Sequence, residues 1–127
     1  MNPAPVTETP DAMEQVRVAV AAAHSRKAED LTVLNLAAIS DFTDRFLICS
    51  GTNERQVQAI AEAILRGLRE QGVRPLHVEG LKHGRWVLLD YGGDMVVHVF
   101  LDETREVYAL ERLWSDAAVE TERFSSE

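Results

Sequence analysis

Residues 76–101 read LHVEGLKHGRWVLLDYGGDMVVHVFL. The run divides into three strands and two turns. Leu76–Glu79 is closed by Gly80, Arg85–Tyr91 is entered through Gly84, and Gly92-Gly93-Asp94 turns the chain back into Met95–Leu101. Val, Leu, Tyr, Trp and Phe fill the strands, and glycines sit where a turn needs positive φ. The middle strand alternates: Trp86, Leu88 and Asp90 point one way, Val87, Leu89 and Tyr91 the other. A large aromatic, a leucine and a carboxylate on one side of a short strand suit a surface that meets another macromolecule. The plainer alternative is that Trp86 only covers the edge of the core, because tryptophan is usually much buried and is also enriched in contacts.

Upstream of this stretch, Val57, Ile60, Ala61, Ile64, Leu65 and Leu68 form the clearest apolar stripe in the chain and predict a helix over 54–71. Gly72 suits the left-handed closing position and Pro75 prevents continuation. Phe46–Cys49, before the helix, is a short apolar run fitting a strand buried on both faces. Strand, helix and strand make a crossover unit, which predicts Phe46–Cys49 parallel to Leu76–Glu79 with a right-handed connection. Leu31–Leu36 alternates as a further strand, and Ala37–Asp44 connects it onward through a Ser40-Asp41 turn. The expected fold class is α/β of the α+β kind: a mixed, mainly five-stranded sheet flanked by helices.

At the amino end, Thr9 is placed to cap a helix that Pro10 starts. Met13, Val16, Val20 and Ala23 share one face, and the helix should end near Ser25–Lys27. After Leu101, Asp102-Glu103-Thr104-Arg105 opens a third helix whose apolar side is Val107, Leu110, Leu113 and Trp114. The domain reading is a disordered 1–8, one domain over 9–115, and a flexible acidic tail over 116–127.

A chain of 127 residues supports one domain with a real core. Apolar residues make up 46% and charged residues 27%, ordinary for a globular protein. The net charge of -8 argues against an extended nucleic-acid groove and favours a basic protein partner. The one cysteine, Cys49, has no internal disulfide partner and lies in an apolar run, which predicts a buried small hydrophobe and a reducing compartment. No signal peptide or membrane span is read, so the expected location is cytoplasmic.

None of the four histidines, His24, His77, His83 and His98, has a neighbour at metal-ligand spacing, so no metal or cofactor is expected. His98 alternates with Val97 and Val99 and reads as a satisfied strand histidine. Ser50-Gly51-Thr52-Asn53 stands between a strand and a helix, but it lacks the glycines and lysine of a phosphate loop. Thr52 or Asn53 as a helix cap explains it. Glu79, Asp90 and Asp94 at strand ends keep an enzyme alternative open, a divergent nucleotidyltransferase-like protein acting on a nucleotide or RNA. Magnesium-dependent nucleotide binding in calorimetry would discriminate it.

Taken together, several segments resemble the ribosomal silencing factor family, also called Iojap-like. They are Asp41–Thr52, Arg55–Ala61, Val78-Glu79-Gly80, Trp86–Gly92, Val96–Phe100 and Tyr108–Trp114, and their order and spacing span about residues 11–115. Asn35 stands where many relatives carry Asp, and Gly92-Gly93 makes the turn one glycine longer than usual. The resemblance implies a nucleotidyltransferase-like outline without catalytic acids and no enzymatic activity. It implies binding to the large ribosomal subunit through ribosomal protein uL14, which hinders subunit joining and lowers translation when nutrients are scarce. On this view Trp86 and Leu88 form the centre of the contact, Asp90, Asp94 and Glu79 face arginines or lysines, and Tyr91 and His98 shape the patch. A homodimer built through the Trp114 helix is a third reading.

Overall fold

The computed structural model describes residues 11–108, 112, 115 and 117–124. In chain order the elements are α1 (Ala12–Ser25), β1 (Glu29–Asn35), β2 (Arg45–Gly51), α2 (Glu54–Glu70), β3 (His77–Glu79), β4 (Trp86–Asp90), β5 (Val96–Leu101), α3 (Asp102–Tyr108) and β6 (Ala118–Val119), then a 3-10 turn over Thr121–Phe124. The sheet has six strands in the order β3-β4-β5-β2-β1-β6. The mixed sheet flanked by helices is as expected, with one strand more.

Two differences from the expected layout have physical causes. β2 pairs in parallel with β5, Phe46 against Val96 through Gly51 against Leu101, and not with β3. β3 runs in the same direction but lies at the sheet edge beyond β4, antiparallel to it. Both β2 and β5 are mostly apolar and buried on both faces, which belongs at the sheet centre. His77-Val78-Glu79 carries polar side chains suited to an edge. The second difference is the stretch read as a flexible tail. Within it, β6 pairs with β1, Leu34 against Val119, and Phe124 is buried in the main core. The expected cap at Thr9 and the disordered 1–8 fall outside the described residues, as do residues 109–111, 113 and Trp114 of the expected third helix. The observed cap of α1 is Asp11, whose carboxylate accepts from the Glu14 amide at 2.9 Å.

α1 and α2 lie together on one face of the sheet. Val16, Ala19, Val20 and Ala23 of α1 meet Val57, Ile60, Ala61, Ile64 and Leu68 of α2 over Val33, Leu47, Cys49, Val87, Leu89, Val97 and Val99. Each large aliphatic side chain buried this way contributes about 1.5–3 kcal/mol before the entropy of ordering. Asn53 caps α2, accepting from the Gln56 amide at 2.8 Å, and Gly72 closes it at φ +83. Cys49 is fully buried and its thiol is pushed up to about 12 by burial, with Arg105 opposing, so it behaves as the inert apolar residue expected.

The β3–β4–β5 region depends on two glycines. At Gly80 (φ +81) a Cβ would stand 2.0 Å from the Trp86 carbonyl oxygen, so only glycine lets the β3–β4 loop close onto the start of β4. At Gly92 (φ +79) the chain begins the β4–β5 turn, and its amide donates to Asp90 Oδ1 at 2.8 Å.

Candidate functional site

The register of the strands collects the candidate residues. Trp86 lies opposite Phe100, Leu88 opposite His98 and Asp90 opposite Val96 across β4 and β5. Glu79 lies opposite Leu88, and His77 opposite Asp90, across β3 and β4. Ile48 and Phe46 of β2 continue the rows beside His98 and Val96. Residues facing each other in register share a side, so all of these stand on the sheet face away from α1 and α2. A second apolar cluster forms there from Leu34, Leu36, Phe46, Ile48, Val96 and Phe100, with Trp86, Leu88 and Ala117 packed against it.

The two halves of this face differ. Over β1 and β2, Arg105 of α3 donates to Ser50 Oγ and Thr32 Oγ1, both at 3.3 Å, and Ala117 covers part of the cluster. Toward the β3 edge, Trp86, Leu88 and Asp90 are half-buried and His77 and Glu79 are exposed. That open half is apolar at its centre and carries carboxylates at its border.

His98 organises the centre. It is 4% exposed, and the Trp86 indole Nε1–H donates to its Nδ1 at 3.1 Å. An accepting Nδ1 puts the proton of the neutral ring on Nε2, which is buried without a hydrogen-bond partner among the described residues. Burial holds its pKa down at about 4, so the ring is neutral at pH 7. Phe46 meets it edge-on with centroids 4.5 Å apart, and Phe100 stacks at 6.1 Å. The indole is thus tied inward by its N–H while part of its surface stays exposed.

The remaining predicted residues divide by face. Glu79 Oε2 pairs with His77 Nε2 at 2.6 Å on the open side. Asp90 is on that side and also fixes the Gly92 turn through its Oδ1. Tyr91 and Asp94 turn the other way. Tyr91 packs in the helix-side core, where burial pushes its hydroxyl up to about 12 against the opposing charge of Arg69. Asp94 accepts from Gln15 Nε2 of α1 at 3.3 Å. Five of the seven predicted residues (Trp86, Leu88, Asp90, His98 and Glu79) therefore share a face, and two do not. The carboxylates considered for an enzyme do not converge, since Asp94 lies on the far side of the sheet. Among the described residues no group of three His, Cys, Asp or Glu is placed to hold a metal ion.

Sequence reasoning missed the extension of the patch toward the β1–β2 loop. Phe42, 57% exposed, meets Phe46 edge-on at 6.2 Å, and Ile39 stands exposed in the same loop. An isolated Phe in a polar loop was the available signal. At the opposite end, Gly80, His83, Arg85 and Trp86 line an open cleft of about 500 Å³.

Comparison with known proteins agrees with this architecture. Residues 9–127 match the family model described as "Ribosomal silencing factor during starvation". The ribosomal silencing factor RsfS of Halalkalibacterium halodurans is 47% identical over 104 residues, covering 82% of this chain and 88% of that protein. The crystal structure of a Chromobacterium violaceum protein superposes with a TM-score of 0.80 at 34% identity, covering 84% of this chain and 88% of that one. A mouse protein named "Mitochondrial assembly of ribosomal large subunit protein 1" is 34% identical over 91 residues, 69% of this chain and 40% of its own length. This chain belongs to the ribosomal silencing factor family.

Proposed function

We propose that this protein docks on the large ribosomal subunit through ribosomal protein uL14, using the open half of the second sheet face, and so obstructs joining of the small subunit. The observation that carries the proposal is the indole of Trp86, held half-buried by His98 beside Leu88 on a face bordered by Glu79 and Asp90. A central aromatic anchor with a charged rim is the anatomy of a protein contact, in which the anchor contributes most of the binding energy. The negative border and the net charge of -8 suit a basic ribosomal protein, and attraction between them speeds encounter more than it deepens affinity. The family description names starvation as the occasion, and the mouse relative's name carries assembly of the ribosomal large subunit. No chemical step is required: a bound body of 14.2 kDa on the joining face blocks by its bulk, and translation falls as subunits stay apart.

Co-sedimentation with separated subunits tests the proposal. The protein should travel with the large subunit alone and reduce formation of the joined particle in proportion to occupancy. Trp86→Ala, checked for folding by circular dichroism, should weaken large-subunit binding by about 2 kcal/mol or more, roughly thirtyfold. Subunits that join normally under saturating protein would end the proposal. Normal binding by the folded variant would remove Trp86 from the contact.

A further inference from the structure

The amino end of α2 is flanked by two loops that the docking reading leaves unused. Val57, Ile60, Ala61, Ile64 and Leu68 set the buried side of the helix. At 100° per residue Arg55 then falls on the outer side, with Gln56 and Gln58 on its two flanks. The two glutamines perform the same task in opposite directions. Gln56 Nε2 donates to the carbonyls of Arg26 and Lys27 at 3.2 and 3.1 Å. Gln58 Nε2 donates to the carbonyls of Leu81 and Lys82 at 3.1 and 2.8 Å. Each amide thus holds a separate loop against the helix, and each loop carries adjacent basic residues, Arg26-Lys27 on one side and Lys82-His83 on the other. Lys27 is held at φ +61, in the left-handed region that side chains usually avoid, so this loop is fixed in an uncommon shape.

All five side chains (Arg26, Lys27, Arg55, Lys82 and His83) are exposed. Of the neighbouring acids, Glu54 is paired with Arg85 at 3.3 Å, while Glu29 and Asp30 follow Lys27 in the chain, Glu29 beside Asp102. The helix amino end is already capped by Asn53, so anion recognition here falls to the side chains. The result is a basic crescent wider than one helix, about 10 Å, in a chain with 13 Lys and Arg against 21 Asp and Glu. It is continuous with the docking face, because His83 and Arg85 line the same cleft as Trp86.

We propose that this crescent contacts the phosphate backbone of ribosomal RNA beside the ribosomal protein on which the sheet face docks. The inference rests on the docking reading. Exposed lysines and arginines on loops held against the helix, beside an apolar anchor, complement a polyanion adjoining a protein surface, and phosphate contacts of this kind position a protein without reading sequence. The net negative charge keeps the free protein off RNA at long range. Within a Debye length, about 10 Å at 0.1 M salt, charges act individually, so the exposed lysines and arginines meet phosphates directly. The crescent therefore acts after docking, setting the orientation of the bound body.

The test compares wild type with a Lys27→Gln, Arg55→Gln, Lys82→Gln variant on two probes, intact large subunits and isolated uL14. All three positions are exposed, and matched thermal unfolding confirms the fold. On intact subunits the variant should bind more weakly at low salt, and wild type should lose about twenty- to fortyfold more affinity than the variant between about 50 and 200 mM salt, as for three phosphate contacts. On isolated uL14 the two proteins should bind alike. Equal affinity and equal salt dependence on intact subunits would overturn the inference while leaving the dock in place. Weakened binding to isolated uL14 would also overturn it, assigning the crescent to an acidic protein surface. Absence of wild-type binding to large subunits would instead sink the docking reading itself.

Discussion

Phe124→Ala is expected to destabilise the protein by about 3–5 kcal/mol, the range for deleting a buried aromatic ring. Phe124 is 3% exposed and packs into the core beside α1, with the guanidinium groups of Arg17 and Arg45 at 6.0 and 5.6 Å from its ring centre. Four residues earlier, Glu120 fastens the same segment to the sheet. It accepts from Asn35 Nδ2 at 3.1 Å, Arg45 Nε at 3.0 Å and Arg123 Nη1 at 3.3 Å. Burial alone would raise the Glu120 pKa, but these bonds and the charges of Arg45 and Arg123 outweigh it and hold the carboxyl below its usual value. The lowered pKa makes the fastening complete above the ordinary carboxylate range and lost as pH falls through the folded value. Against a typical total stability of about 5–15 kcal/mol, the loss of the ring is severe. Urea unfolding measures it. A midpoint unchanged from wild type would mean that residues 117–124 add nothing to the fold.

The second large effect is a pH dependence centred on His98. Its folded pKa of about 4 lies below the ordinary 6.5 because of burial. Between those values the unfolded chain binds a proton that the folded chain does not, so stability rises with pH across the window and is complete above 6.5. The loss on acidification from 6.5 to 4 amounts to about 3 kcal/mol for this one group. Carboxylates such as Glu120 also lose stability toward acid, so the informative quantity is the difference between wild type and His98→Phe. The variant removes the titration while keeping an aromatic ring between Phe46 and Phe100. Its stability should fall less steeply over that range, by about the same 3 kcal/mol. Parallel curves for the two proteins would show that His98 is protonated equally in both states.

Legibility in the sequence followed physical lines. The β4–β5 hairpin was readable because strict alternation met glycines at the turns, and α2 because its stripe is wide and capped. Which strands lie side by side was harder, since alternation fixes faces and not neighbours. Sequence order favours β3 as the crossover partner of β2, whereas the buried run Val96–Phe100, apolar apart from His98, is the one suited to lie beside Phe46–Cys49. β6 is two residues long, too short for any period, and Phe124 is a lone aromatic among polar residues, so its burial left no pattern. At the site, residues inside β3, β4 and β5 went to the expected side because the pleat dictates it. Tyr91 follows the same alternation and so belongs with Val87 and Leu89 on the helix side. Asp94 lies past the strand end, where local turn geometry and the reach of Gln15 decide its direction.

The five longer strands form two locally connected ribbons, β3-β4-β5 and β2-β1, joined along the parallel seam between β2 and β5, with β6 returning late in the chain to the outer edge of β1. Partners across that seam are 50 positions apart in the chain, so closing it carries a larger loop entropy than the hairpins on either side of it. The lid over the imidazole, Phe46, comes from the opposite ribbon. A half-zipped chain therefore has its tryptophan but no finished platform beneath it, and on the docking proposed above it would have no surface to offer the ribosome.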